Sequence, residues 1–255
     1  MHHPWKSCSR PAFLTLAAFI CVGLGNLPTP VFAVQPVHLL PIGDSITARG
    51  QYIVPLENLL TLNGYTPDLI ANEGTPSAPI NTIDSTLAAR LNHPNVNSSD
   101  TWILLMIGIN DLYNHQEVGA PGRLGTLISD IRTAAPQANL IVAKITPDSE
   151  SGGGTWLDPL VRQYNQDIVS VIQGASGYGT KVRMVDMYTP FVTNPLYQSN
   201  PIDYFSDGCH PTAAGGAVMA GVWYQGITAA PEPGTLALSA IALISLSAYA
   251  WRRRR

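Results

Sequence analysis

The feature that most constrains this chain is an alternation of short apolar runs with longer segments. The runs cover residues 37–42, 68–71, 102–107, 140–145 and 182–185, each of a length that suits a strand buried on both faces. The segments 53–63, 80–91, 124–135, 157–172 and 213–227 are long enough for helices. Five strands alternating with five helices specify an α/β fold, a three-layer sandwich around a five-stranded parallel sheet. Neither a repeat nor an internal linker divides residues 34–230, so they read as one domain with a full core. In such sheets ligands gather at the carboxyl ends of the strands, and the polar residues there are the informative ones.

The two ends read as addresses. Residues 1–33 open with Lys6 and Arg10, pass through an apolar run at 12–25 and close on Val31-Phe32-Ala33. This is the order of a secretory signal peptide, with cleavage expected after Ala33; the run falls short of the ~20 residues of a membrane span. Cys8 and Cys21 leave with it, so only Cys209 remains and no internal disulfide is expected. Residues 231–255 run from Pro231-Glu232-Pro233-Gly234 through an apolar stretch at 236–251 to Arg252–Arg255. As a helix that stretch reaches ~24 Å, close to the ~30 Å of a hydrocarbon core, and the arginines would hold its end in the cytoplasm. Pro-Glu-Pro, an apolar helix and an Arg cluster, in that order, resemble the PEP-CTERM sorting signal. The resemblance implies an exported protein, at the cell surface or outside, held for a time in the inner membrane by its C-terminal helix and handled by a sorting protease. A plain C-terminal anchor is the alternative.

Setting the ends aside uncovers the charge of the body. It keeps eight basic residues against 16 acidic ones, whereas the whole chain nets −3. So acidic a domain repels phosphate backbones and anionic lipid, and nucleic acid is not an expected partner.

Three polar motifs fall at the expected strand ends. The first strand runs into Gly43-Asp44-Ser45-Ile46, a turn that would hold the Ser45 hydroxyl at the sheet edge beside a helix N-terminus. Asp-Ser turns are ordinarily helix caps, so this motif alone does not mark a nucleophile. The third strand ends in Gly108-Ile109-Asn110-Asp111, where the Asn110 amide can donate to a developing oxyanion or simply form a turn. Asp207-Gly208-Cys209-His210-Pro211 precedes the last helix. A carboxylate three residues before an imidazole can orient the ring and fix its tautomer; the plain alternative is a helix-entry turn with a surface histidine.

Taken together and in this order, the motifs resemble the SGNH hydrolases, also called GDSL esterases, over about residues 37–227. The resemblance implies an SGNH/flavodoxin-like sandwich with Ser45 as nucleophile, His210 as base, Asp207 as its partner, and Asn110 in the oxyanion hole. Residues 40–47, Glu73-Gly74 and Arg162-Gln163-Tyr164-Asn165 look most like carbohydrate esterase family three, which includes acetylxylan esterases. One block departs from the pattern: Ser77 stands where the family has the glycine whose N–H completes the oxyanion hole. Ser77 is therefore the expected third donor with the Ser45 N–H and Asn110, and Gly74 is the alternative if the loop is shaped differently.

No metal or other cofactor is implied, since His38, His93 and His115 lack ligand spacing to a partner. His38 in the first strand reads as a core histidine, Trp102 and Trp223 as core residues, and Trp156 beside a Gly-rich loop as local packing or a sugar-stacking ring. Three functions follow from the resemblance. The first is an exported serine esterase removing O-acetyl groups from an acetylated polysaccharide. The second is a lysophospholipase or general short-chain esterase on the same site. The third is a surface glycan-binding module with a decayed site.

Overall fold

A computed structural model describes residues 35–148 and 157–229. The expected signal peptide, Trp156 with its Gly-rich loop, and the 231–255 sorting segment lie outside the described residues.

The strands are β1 (Gln35–Gly43), β2 (Tyr65–Leu69), β3 (Glu73–Gly74), β4 (Thr101–Met106), β5 (Asn139–Lys144) and β6 (Val182–Asp186). They form one parallel sheet in the order β2-β1-β4-β5-β6, with the two-residue β3 pairing the end of β1 beyond β2. The helices are α1 (Ser45–Arg49), α2 (Ile53–Leu62), α3 (Ile80–Ser85), α4 (Leu87–Arg90), α5 (Ile109–Tyr113), α6 (Ala120–Ala134), α7 (Leu157–Gln173), α8 (Thr189–Val192), α9 (Pro195–Ser199) and α10 (Ala213–Thr228). α2 packs on α10, while α6 packs on both α3 and α7. The result is the expected three-layer α/β sandwich.

The core follows the apolar runs. Leu39, Leu40, Ile42, Ile103, Leu104, Leu105, Leu140 and Ile141 are almost entirely inaccessible, which is why β1, β4 and β5 are apolar at consecutive positions rather than alternately. Pro41 sits inside β1, where a missing N–H normally breaks a ladder. The register explains its place. Pairing with β2 ends at Leu39 opposite Leu69, and pairing with β3 begins at Ile42 opposite Glu73, so Pro41 falls in the gap.

Three local readings shift. The second strand is Tyr65–Leu69 rather than 68–71; Pro67 lies within it, as an edge strand permits. The segment 80–91 is two helices, broken at Thr86, whose hydroxyl bonds Thr82 O and accepts from Arg90 Nε. His38 is only partly buried and bonds Asp68 Oδ2 across the β1–β2 ladder, so it is a rim residue rather than a core one.

After β1 the chain goes to β2 on one side and then returns past β1 to β4, β5 and β6. The strand order thus reverses between β1 and β4. Their carboxyl ends form the crevice where an open α/β sheet binds its ligands.

Candidate active site

Ser45 and Asn110 flank that crevice. Asp44 caps α1 by accepting the Ile46 N–H at 3.0 Å, which sets Ser45 as the first residue of the helix. The Asp44 side chain is buried, and burial pushes its carboxyl up to about 7 against the pull of the Ile46 N–H and its own.

His210 arrives from the turn before α10, 165 positions away, and its Nε2 lies 2.8 Å from Ser45 Oγ. The other ring nitrogen, Nδ1, lies 2.8 Å from Asp207 Oδ2. Asp207 Oδ1 accepts the backbone N–H groups of His210 at 2.8 Å and Cys209 at 3.2 Å. Burial alone would raise the Asp207 carboxyl, but these donors and the His210 ring outweigh it and hold it below the usual carboxylate range. The arrangement keeps a proton on Nδ1 and leaves Nε2 to accept one from the Ser45 hydroxyl.

The third wall is the loop after β3. Ser77 adopts a left-handed backbone with φ of 58°, the conformation that a glycine takes without strain. Its N–H bonds no other described residue, nor does that of Ser45. Asn110 Nδ2 donates to Ala78 O at 3.1 Å, tying the start of α5 to this loop. Gly74 is placed elsewhere. Its N–H is used by Asn72 Oδ1 at 3.1 Å, and a Cβ there would lie 2.1 Å from Ala48 N, so it serves the close approach of β3 to α1. Ser77 lines the cleft with Ser45, Asn110, Asp207 and His210, and Gly74 does not.

Several residues of the site carried no sequence signal. Arg90, buried on α4, donates to Glu73 O and Thr75 Oγ1 at 2.7 Å each and so pins the Ser77 loop from behind. His93 Nε2 reaches the other side of Glu73 at 2.7 Å. Arg49 and Tyr113 line the cleft, with Arg49 Nη2 3.7 Å from Asp207 Oδ2. An Arg that reaches back along a loop is recognisable only once the loop is folded. The cleft encloses about 640 Å³, within the range of sites that take a small organic ligand. Among the described residues, no group of three or more His, Cys, Asp or Glu side chains is placed to hold a metal ion.

The chain is similar to several known proteins. A family 3 carbohydrate esterase of Clostridium thermocellum is 26% identical, with a TM-score of 0.57, covering 74% of this chain and 94% of that one. An acetylxylan esterase from Geobacillus stearothermophilus, solved as a catalytic mutant, matches at 17% identity and TM-score 0.58 over 77% of this chain and 96% of its own. A family 3 carbohydrate esterase from Talaromyces cellulolyticus matches at 19% and 0.58, over 75% and 96%. The latter two share the fold. No curated protein matches the chain in sequence. The PEP-CTERM protein-sorting motif matches residues 229–255. Residues 42–218, from the end of β1 into α10, match the GDSL-like lipase/acylhydrolase model, so the chain is an esterase that belongs to the GDSL-like lipase/acylhydrolase family.

Proposed function

We propose that this esterase is exported and removes O-acetyl groups from a polysaccharide through Ser45, His210 and Asp207. The observation that carries the reading is the continuous relay of two 2.8 Å contacts from Ser45 Oγ through His210 to Asp207. His210 Nε2 takes the hydroxyl proton as Ser45 Oγ attacks the ester carbonyl. The oxyanion that forms is met by the N–H groups of Ser45 and Ser77 and by the Asn110 amide. As the tetrahedral intermediate collapses, His210 gives its proton to the leaving sugar oxygen. Water then attacks the acetyl-Ser45 ester, again losing its proton to His210; as the Oγ–acyl bond breaks, His210 returns that proton to Ser45 Oγ and acetate leaves. Asp207 stays ionised throughout and holds the ring.

The glycan part of the reading is supported by the 26% identity to the clostridial family 3 carbohydrate esterase. Export, and transient residence in the membrane with a sorting protease as partner, are supported by the sorting-motif match at 229–255. No helix among the described residues is long and apolar enough to cross a membrane.

The test is acetate release from a panel of acetylated glycans, with p-nitrophenyl acetate and longer acyl esters alongside. Ser45→Ala and His210→Ala should each lower turnover by ~10⁴ or more, and the double variant should be little worse than either. Preference for long acyl chains would replace the reading with a lipid esterase. A wild-type chain inert on every ester would leave a glycan-binding module.

A further inference from the structure

The geometry points to Tyr113 as the residue that selects a sugar as the alcohol half of the ester: its ring is the platform on which a pyranose lies. This inference rests on the glycan reading above and adds to it the place and chemistry of sugar recognition.

The placement begins in the sequence of α5. Asn110 and Tyr113 are three residues apart and share one face of the helix, so the residue proposed for the oxyanion hole and the aromatic ring both line the cleft. Asp111 between them turns inward instead; it is buried, accepting the Ile80 N–H at 2.9 Å and the Arg123 guanidinium at 2.8 Å. Tyr113 is 40% exposed, and it is the only aromatic among the large apolar side chains that stand exposed in the described residues.

Its hydroxyl is engaged within the protein. It donates to Oδ2 of Asp148, a buried carboxylate just beyond β5. The Cys209 thiol also lies within hydrogen-bonding reach of the phenol; burial raises the thiol, with Asp148 adding to the effect. Cys209 belongs to the turn that carries Asp207 and His210. The one polar atom of Tyr113 is therefore tied both to the segment after β5 and to the turn before α10, and its ring is held at a set position relative to the reacting atoms.

A partly exposed ring that lines a cleft and is anchored by a buried carboxylate suits a ligand with an apolar face. A pyranose has one, in the axial C–H groups that pack against an aromatic surface. The acetyl group is too small to occupy much of a cleft of about 640 Å³, so most contacts must come from the alcohol half. Binding made there, away from the carbonyl, is what orients the ester for attack.

The experiment compares kcat/KM for acetylated xylohexaose with that for p-nitrophenyl acetate, which has no sugar, in full-length wild type and in Tyr113→Ala, Tyr113→Trp and Asp148→Asn. The ratio should fall about tenfold in Tyr113→Ala, equivalent to about 1.4 kcal/mol, through a higher KM on the glycan. Tyr113→Trp should keep the ratio, and Asp148→Asn should lower it partway by freeing the ring. Equal losses on both substrates in Tyr113→Ala, or a Trp variant that behaves like Ala, would overturn the proposal and give Tyr113 a purely structural role. A wild-type enzyme active on p-nitrophenyl acetate but on none of the acetylated glycans would defeat the glycan reading, and this inference with it. A wild type active on the glycan whose ratio is untouched by Tyr113→Ala would defeat this inference alone.

Discussion

Replacing Asp44 by Asn changes one atom of the helix cap beside Ser45, and the structure gives the sign and size of the effect. The Asn side chain keeps the oxygen that accepts the Ile46 N–H, and Asn caps helices about as well as Asp. What it removes is a buried charge. Burial raises the Asp44 carboxyl from 3.8 to about 7, opposed by two backbone N–H groups and helped by Asp111. A carboxyl raised in the folded state binds more protons there than in the unfolded chain. Stability is therefore lost as pH rises between the two values, the reverse of the usual paired carboxylate. At 1.36 kcal/mol per pH unit, holding Asp44 in the fold costs nothing below pH ~3.8, about 1.6 kcal/mol at pH 5 and about 4 kcal/mol above pH ~7. Asp44→Asn should thus be more stable than wild type at pH 8, with the gap shrinking by about 2.5 kcal/mol at pH 5. For a domain of this size that is a change of about 5–10 °C in the difference of Tm. Thermal denaturation followed by circular dichroism at pH 4, 5, 6, 7 and 8 measures it, since every other titrating group is common to both proteins. A gap that stays constant with pH, or a variant less stable at pH 8, would show that Asp44 is ionised in the fold at no net cost, and the reasoning would fail.

Gly108 takes φ of 130°, and a Cβ there would lie 2.5 Å from the Tyr164 ring, so Gly108→Ala should lose about 3 kcal/mol or more in a urea melt. Tyr164 is buried with its hydroxyl on Ile107 O and has little freedom to give way. Arg90→Ala should lower kcat on p-nitrophenyl acetate by about 10–100-fold with a smaller change in KM, because the loop bearing Ser77 loses its rear support; Arg90→Lys, with one donor in place of a fork, should fall between. Ser77→Gly should keep or raise kcat, since it relieves the left-handed strain and retains the N–H. Ser77→Val should lower kcat, because a β-branched residue resists φ of 58°; a Val variant that turns over like wild type would remove the N–H from the oxyanion hole.

Legibility varied with how local each determinant is. The strands of the sheet centre could be read directly, because a strand covered on both faces must be apolar at every position. The edge strand β2 could not be placed as well: its residues are only half-buried or exposed, and Pro67 within it suggests a turn until one knows that, among the described residues, its outer side has no partner strand. The break in 80–91 depends on Thr86 exchanging hydrogen bonds with Thr82 and Arg90, a tertiary choice made so that Arg90 can reach Glu73 and Thr75. Ser45, Asn110, Asp207 and His210 stood out because each motif pairs a turn-forming glycine with a polar side chain, at the end of β1, at the end of β4 and in the turn before α10. Ser77 was found by comparison with a family pattern, and its backbone angle gives the physical content of that comparison. Tyr113, Asp148 and Arg90 act through partners 15 to 35 positions away, and no local pattern marks such residues.

The 165-residue separation of Ser45 and His210 also governs when the protein becomes chemically competent. β1 is made early yet lies inside the sheet, so its second ladder waits for β4, and the turn bearing His210 leads into α10, which packs on α2. Contacts of such long range form slowly and late. On the proposed chemistry, a nascent chain, or one threaded through a translocation pore, carries the hydroxyl without its base. Hydrolysis then begins only once the last helix has closed the fold.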